Sequence, residues 1–249
     1  MTKHSEHTCW IVMPVYNEAS GILNWMREIE QALLGQAVSF VLSDDGSNDG
    51  LKDVLQGRSN HTNYIVLGDG TNRGPGAAFQ TAFNHVMQQA QLGDTVVTLE
   101  SDGTADLSSL SAMFEALKRS DIVLASVYLP GGKFTQTSAI RLLLSHAANA
   151  LTRSILRMPY RTLTSFYRAY RIEALHTIKQ NYHPLISETG FICQVELLWK
   201  AQRCELRIEE VSTCVFAEKR IGKSKMKINR TIKEYTRFIW KVIYRKCRA

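Results

Sequence analysis

The sequence predicts an α/β fold, a doubly wound and mostly parallel sheet flanked by helices, with a basic amphipathic helix at the C-terminus. Short apolar runs alternate with helical stretches over the first two-thirds of the 249 residues, a pattern typical of parallel strands joined by crossover helices. Polar, glycine-rich segments follow these runs at their C-terminal ends, where open α/β sheets bind ligands. The composition, 45% hydrophobic and 21% charged, is that of an ordinary globular protein.

Each element is predicted from the period of its apolar residues. Apolar runs bounded by polar residues or glycine predict strands at 10–15, 39–42, 64–67, 95–99 and 121–127. Helical spacing, as at Ile22, Met26 and Ile29, predicts helices over 19–34, 52–55, 77–90 and 107–117. From about residue 138 the pattern is mainly helical, with a strand-like piece at 210–216.

The positive charge is concentrated at the C-terminal end. Residues 219–249 carry twelve Lys and Arg and one acid, a charge of +11 against +7 for the whole chain. We expect a catalytic domain over 1–226 and a basic helix over 227–249. The helix has an apolar stripe that either lies on an anionic membrane surface or packs on the body or a partner subunit. Its members are Ile228, Ile232, Tyr235, Phe238, Ile239, Val242 and Ile243.

The cysteines and the apolar runs indicate a cytoplasmic protein. The five cysteines are odd in number and lack a CxxC spacing, which argues against a disulfide scaffold or a structural zinc site. The longest apolar run, 122–129, is far shorter than a membrane span. No zinc, RNP or basic-zipper signature is present, so no nucleic-acid partner is expected.

Three polar segments at predicted strand or loop ends are candidates for nucleotide binding. Pro14-Val15-Tyr16-Asn17-Glu18 either ends a strand and opens a helix or binds a base or ribose. Asp44-Asp45-Gly46-Ser47 is either a turn or a holder of ribose hydroxyls. The loop 72–78, Asn-Arg-Gly-Pro-Gly-Ala-Ala, is either a simple helix entry or a loop that offers backbone N–H groups to an anion.

Two charged segments point to diphosphate chemistry. Glu100-Ser101-Asp102 follows a buried strand, and two carboxylates at this spacing suit a divalent metal that bridges a diphosphate. Asp106 close behind is expected to cap a helix. The cations of 219–226 around a glycine suggest a loop that closes over phosphates, or a basic surface loop.

In this order the motifs resemble glycosyltransferase family 2, of the GT-A fold. The resemblance is to the dolichyl- or polyprenyl-phosphate mannosyltransferases of the soluble type, without transmembrane helices. It covers residues 10–230 and includes three later motifs: 164–171 (Thr-Ser-Phe-Tyr-Arg-Ala-Tyr-Arg), 196–198 (Glu-Leu-Leu) and 220–226 (Arg-Ile-Gly-Lys-Ser-Lys-Met).

The resemblance implies a role for each motif. Nucleotide-sugar binding would fall to Pro14, Tyr16, Glu18, Asp45, Gly76, Glu100, Ser101, Asp102, Arg220, Ser224 and Lys225. Glu100 and Asp102 would hold Mg²⁺ or Mn²⁺. The acceptor phosphate would meet Arg141, Ser145 and Arg168, and Asp102, Arg141, Arg220 and Lys225 would be catalytic.

The implied reaction is transfer of mannose from GDP-mannose to a lipid phosphate, with inversion, at the cytoplasmic membrane face. The alternative is a UDP-sugar donor with a hydroxyl acceptor, for which a base is required and Asp106 is a weak candidate. Departures from the family pattern at Glu100, Thr104, Val127, Thr162 and Phe166 lie mostly on the acceptor side. Weaker rivals are a nucleotidyltransferase, a nucleic-acid binder and an inactive scaffold of the same fold.

Overall fold

The protein is described by a computed structural model that covers residues 7–56, 63–136, 139–221 and 228–246. For residues 139–145, 147–148, 228–229 and 245–246 the description is limited to the backbone. The strands are β1 Thr8–Val15, β2 Ala37–Asp44, β3 Asn63–Leu67, β4 Thr95–Thr98, β5 Ile122–Ser126, β6 Lys133–Thr135, β7 Arg168–Arg171, β8 Ile208–Ser212 and β9 Cys214–Phe216. The α-helices are α1 Ile22–Ala32, α2 Leu51–Gln56, α3 Pro75–Gln89, α4 Leu110–Leu117, α5 Ala139–Leu156, α6 Ile172–Asn181, α7 Cys193–Arg203 and α8 Ile228–Lys246.

Seven of these strands form one sheet in the order β3-β2-β1-β4-β7-β5-β8. All neighbouring pairs are parallel except those of β7, which runs antiparallel between β4 and β5. A two-stranded sheet of β6 and β9 lies beside it. The predicted α/β fold with a mostly parallel sheet is confirmed, and each predicted strand up to residue 127 has its ends within two residues of the observed ones.

Two cores cover the two faces of the sheet, as the alternation of side chains along a strand requires. Ile11, Met13 and Val15 of β1 pack with α1 and α4, whereas Val12 packs on the other side with α3, α6 and α7. This second core also receives Phe238 and Val242 of α8, each only 5% exposed. The C-terminal helix is therefore attached to the body through part of its apolar surface.

The apolar stripe predicted for α8 is divided between the core and solvent. Phe238 and Val242 are buried and Tyr235 and Ile239 pack against them, but Ile232 and Ile243 are exposed, as are Trp240 and Tyr244. The interpretation that the stripe packs on the body holds for its buried half. Within the described ranges, no helix has both the length and the apolar character needed to cross a bilayer.

Two parts of the second half of the chain differ from the sequence prediction. The region after residue 138 contains β7, which lies inside the sheet between β4 and β5, and its sequence Arg-Ala-Tyr-Arg has no apolar run to signal a strand. The strand-like piece 210–216 divides at Thr213, whose N–H donates to the Ser126 carbonyl (3.1 Å). β8 consequently joins the large sheet and β9 joins the small one.

Candidate active site

The site lies at the edge where β1, β2 and β4 end. β1 and β2 are in register to their last residues, Val15 beside Asp44, and β4 lies on the other side of β1. Ser101 is buried and its hydroxyl donates to the Pro14 carbonyl at 3.0 Å. This hydrogen bond fixes the turn after β4 to the end of β1. The segments 14–18, 44–47 and 100–102 therefore lie together at one edge of the sheet.

Asn17 joins the first two segments. Its backbone has a positive φ of 54°, a conformation that asparagine tolerates better than most residues. The Asn17 N–H donates to Ser47 Oγ (2.9 Å), and the Asn48 N–H donates to Asn17 Oδ1 (2.8 Å). Glu18 is buried, and its carbonyl accepts the N–H groups of Gly21 and Ile22 where α1 begins. Pro14 and Tyr16 are half-buried beside it.

Asp45 holds the loop before α3. Its carboxylate accepts the N–H of Arg73 at 2.7 Å and that of Gly74 at 2.9 and 3.0 Å. Burial, together with the charge of Asp44, raises the pKa of Asp45 despite these two backbone hydrogen bonds. The sequence suggested a ligand contact for Asp45, but these bonds were not anticipated, because residues 45 and 73 are far apart in sequence. Asp45 shapes the candidate nucleotide pocket by fixing the loop of the third segment.

The position of Gly76 has no space for a side chain. Its N–H donates to the Thr189 carbonyl (2.7 Å), and a Cβ at this position would lie 2.0 Å from the Glu188 carbonyl oxygen. The close approach of two backbones explains the glycine. Gly76 thus seats the third segment on residues 188–189, which precede α7.

Glu100 and Asp102 share a hydroxyl from Thr104. Thr104 Oγ1 lies 2.8 Å from Asp102 Oδ1 and 3.3 Å from Glu100 Oε2. Thr104 is 1% exposed, and Trp25 of α1 supports the same turn by donating from Nε1 to the Glu100 carbonyl (3.0 Å). Burial and the charge of Asp102 raise the pKa of Glu100 to about 7, while Arg220 and Thr104 act in the opposite direction.

Arg220 reaches this carboxylate pair from the other end of the chain. Its Nε and Nη2 lie 2.7 and 2.6 Å from Asp102 Oδ2. The Phe216 N–H donates to the Thr104 carbonyl (2.9 Å), so the strand that leads to Arg220 is tied to the carboxylate turn. The two charged segments, 100–102 and 219–226, therefore meet at Asp102 and Arg220. Ser224 and Lys225 lie outside the described residues.

The donor set fits a divalent ion held jointly with a phosphate ligand. Carboxylate and hydroxyl oxygens are the ligands that Mg²⁺ and Mn²⁺ prefer. Among the residues that the structure describes, no three His, Cys, Asp or Glu side chains converge as a metal centre. Two carboxylates leave several coordination positions for a diphosphate and water, which is the usual arrangement of Mg²⁺ at nucleotides.

Three residues are implied for binding of the acceptor phosphate, and the structure describes the side chain of one of them, Arg168, as buried. Arg168 is 1% exposed, and its guanidinium donates to the carbonyls of Ser165, Gln194 and Leu163. This placement gives Arg168 a role in holding the backbone of 163–168. Arg141 and Ser145 belong to α5, where only the backbone is described.

Asp106 caps a helical turn, as expected. Its Oδ1 accepts the N–H and the hydroxyl of Ser108 at the start of a 3₁₀ turn, Leu107–Ser109, before α4. Two departures from the family pattern are also structural here. The Thr162 hydroxyl donates to Ser126 Oγ (2.6 Å), and Phe166 packs edge-on against Phe79.

The fold, with the carboxylates of Glu100 and Asp102 at the edge of the sheet, is that of an α/β enzyme of the GT-A kind. The profile of the family described as glycosyl transferase family 2 matches residues 10–179, and the chain belongs to that family. It is a glycosyltransferase, and the family resemblance of the sequence is confirmed.

Relatives and solved structures agree with this assignment. The chain is 29% identical over 216 residues to the undecaprenyl-phosphate mannosyltransferase of Micrococcus luteus, with 86% of each chain covered. It is also 29% identical over 220 residues to the polyprenol monophosphomannose synthase of Mycolicibacterium smegmatis, covering 87% of this chain and 80% of the relative. The glucosyl-3-phosphoglycerate synthase of Mycobacterium tuberculosis with Mn²⁺ and UDP-glucose is similar in fold, with a TM-score of 0.64, 17% identity and coverage of 96% and 79%.

Proposed function

We propose that this glycosyltransferase transfers mannose from GDP-mannose to a polyprenyl or dolichyl phosphate, with inversion at the anomeric carbon. The observation that carries the proposal is the pair of relatives above, both named for transfer of mannose to a polyprenol phosphate and both matched over most of this chain. The carboxylate edge, Arg220 and the Asp45 loop supply a donor site of the required chemistry.

The residues divide the work of the donor side. Pro14, Tyr16, Glu18 and the loop held by Asp45 line the nucleotide pocket, with Gly76 and Ser101 fixing its backbone. Glu100 and Asp102 hold Mg²⁺ or Mn²⁺. The metal, when bound, neutralises the charge that develops on the leaving diphosphate. Arg220, Ser224 and Lys225 bind the same diphosphate and stabilise it as it leaves.

The acceptor side needs positioning more than proton transfer. A lipid phosphate is anionic near neutral pH, so its oxygen attacks the anomeric carbon without a general base. Arg141 and Ser145 of α5 orient this phosphate, and Arg168 stabilises the backbone on that side of the site through its three carbonyl contacts.

A transfer assay tests donor and acceptor together. Radiolabelled GDP-mannose and UDP-glucose are each offered with polyprenyl phosphate and Mg²⁺ or Mn²⁺. We expect mannose label to enter the organic phase, and EDTA to prevent it. Transfer of label from UDP-glucose but not from GDP-mannose would show that the donor is UDP-glucose. Slow donor hydrolysis with no labelled lipid would favour the alternative, a UDP-sugar and a hydroxyl acceptor.

The exposed face of α8 suits a peripheral site on the cytoplasmic membrane surface. Trp240 and Tyr244 are 64% and 43% exposed and stack on each other with ring centroids 5.1 Å apart. Trp and Tyr are the side chains that favour the membrane–water interface. Exposed Lys233, two helical turns before Trp240, supplies positive charge that attracts anionic lipids.

Replacement of two exposed aromatic residues tests this contact without disturbing the core. Trp240→Ser with Tyr244→Ser should lower flotation of the protein with anionic liposomes, because apolar area at the interface is lost. Leu92→Ser is the matched control, since Leu92 is an exposed apolar residue outside α8. Equal flotation of the double variant and wild type would reject the membrane role of this face.

A further inference from the structure

Arg220 lies where a cation is needed by the carboxylate pair. Its Nε and Nη2 both lie within hydrogen-bond distance of Asp102 Oδ2, while Asp102 Oδ1 accepts the Thr104 hydroxyl and, at 3.2 Å, the Thr104 N–H. Both oxygens of Asp102 are therefore engaged. The two side chains are largely shielded from water, at 11% exposure for Asp102 and 28% for Arg220, so their attraction is screened less than that of a surface pair.

A divalent metal and the Arg220 guanidinium compete for Asp102 Oδ2. A metal bound to Asp102 Oδ2 would lie only a few ångströms from the positive guanidinium, and like charges this close repel strongly where water is scarce. Metal binding therefore includes the cost of breaking the Arg220–Asp102 ion pair. A diphosphate repays that cost, because guanidinium groups bind phosphate oxygens through paired, charge-assisted hydrogen bonds.

The chain around Arg220 permits this exchange of partners. The Phe216 N–H bond to Thr104 and the bridge between Val215 and Ala105 fix the strand before Arg220 against the carboxylate turn. Arg220 itself follows the short 3₁₀ turn Ala217–Lys219. The backbone before Arg220 is held near the site, so the guanidinium can leave Asp102 by rotation of the side chain without movement of the strand.

We propose that Arg220 stands in for the metal at Asp102, so that the carboxylate pair takes up a divalent ion only together with the diphosphate that draws Arg220 away. This deepens the proposed function and rests on its donor site. Metal and nucleotide then bind cooperatively, and linkage makes the effect reciprocal: each raises the affinity for the other by the same factor.

Removal of the guanidinium tests the exchange directly. Mn²⁺ binding is followed by electron paramagnetic resonance, with and without GDP or UDP, in wild type and Arg220→Ala. We expect the variant to bind Mn²⁺ alone at least about fivefold more tightly, the lower end of typical couplings between linked sites. Nucleotide should strengthen Mn²⁺ binding less in the variant than in wild type. Arg220→Lys, which keeps the charge, should resemble wild type more closely.

Two further variants separate this inference from the donor-site assignment. Arg119→Ala is the matched control, because Arg119 makes an exposed ion pair with Glu209 and should leave Mn²⁺ binding unchanged. Asp102→Asn should lose Mn²⁺ binding in the presence of nucleotide; retained binding would overturn the metal site and with it the proposed donor chemistry. Loss in Asp102→Asn, combined with equal Mn²⁺ affinity in wild type and Arg220→Ala, would overturn only the stand-in role.

Discussion

Thr104 is the residue that organises the carboxylate pair. Its hydroxyl carries one proton and lies within reach of both Asp102 and Glu100, and its carbonyl receives the Phe216 N–H. It therefore connects the turn after β4 with the strand that leads to Arg220. In the sequence, Thr104 stands out only as a departure from the family pattern, because its contacts depend on how the turn 100–104 closes.

The hydroxyl of Thr104 can be removed while the shape of the side chain is kept. Thr104→Val should lower the affinity for Mn²⁺ with nucleotide by roughly 10- to 100-fold, the usual effect of losing a group that orients metal ligands. Thr104→Ser should restore most of it. The measurement is a calorimetric titration of each variant. Unchanged affinity in the valine variant would show that the carboxylates keep their positions without the hydroxyl.

Glu100 predicts how the stability of the metal-free protein varies with pH. Its pKa in the folded protein, about 7, lies above the ordinary value of 4.5, so the folded state favours the protonated form. The contribution of protonated Glu100 is fully present below pH 4.5 and is lost as pH rises through about 7. Above pH 7 the ionised carboxylate destabilises the fold.

Substitution of Glu100 tests this sign. Glu100→Gln should be more stable than wild type at pH 8 without metal, by at least about 3 °C in Tm, the shift that roughly 1 kcal/mol produces in a domain of this size. The two proteins should converge near pH 4.5. Calorimetry in EDTA over this range measures the difference, and a constant gap at all pH values would contradict the pKa of Glu100.

Among the helices, α8 is connected to the glycine-rich loop 72–78 through a series of contacts. The buried Glu188 carboxylate accepts Arg237 Nη2 at 2.7 Å and Lys241 Nζ at 2.6 Å, both from α8. The Glu188 N–H donates to Glu196 Oε2 (2.8 Å), and Glu196 pairs with Lys200 at 2.7 Å inside the body. Since Gly76 packs on the backbone of 188–189, both the loop 72–78 and α8 contact this part of the chain.

Glu188 gives this attachment a pH dependence. Burial alone would raise the pKa of Glu188, but the hydrogen bonds and charges of Lys241 and Arg237 outweigh it and lower the pKa. The stabilisation is therefore present above the ordinary pKa of 4.5 and is lost as pH falls through the lowered value.

Comparison with Glu188→Gln isolates that effect. Wild type should exceed the variant in stability by about 1 kcal/mol above pH 4.5, because the cationic partners are half exposed. The gap should shrink below pH 4.5. Amide hydrogen exchange in α8 measures it locally, and a gap that grows on acidification would contradict the sign.

At the scale of the whole molecule, local sequence pattern predicts the elements whose residues carry a clear period. The strands β1 to β5 have apolar runs, and the helix of the C-terminal stripe has 3.6-residue spacing. β7 was missed because its four residues are stabilised by their neighbours β4 and β5 rather than by their own pattern. The division of the α8 stripe was also not predictable, because it depends on which side of the helix meets the body.

The site shows the same limit. The carboxylates, the glycine-rich loop and Arg220 could be named from sequence, since each belongs to a motif of the family. Contacts that join distant segments could not, as with Asp45 to Gly74, Asn17 to Asn48, and Phe216 to Thr104. The first two contacts come from the parallel order of β1, β2 and β3, which brings loops far apart in sequence to one edge. The third comes from β9 of the small sheet, to which Phe216 belongs.

We propose that Asp102, at the edge of the sheet, stabilises the leaving diphosphate of the donor through the metal. The most direct test is the transfer of label from GDP-mannose to polyprenyl phosphate by Asp102→Ala, beside wild type and the surface control Arg119→Ala. We expect Asp102→Ala to abolish transfer although the protein remains folded by circular dichroism, and Arg119→Ala to transfer at the wild-type rate. Near-normal turnover by Asp102→Ala would show that Asp102 does not have this role.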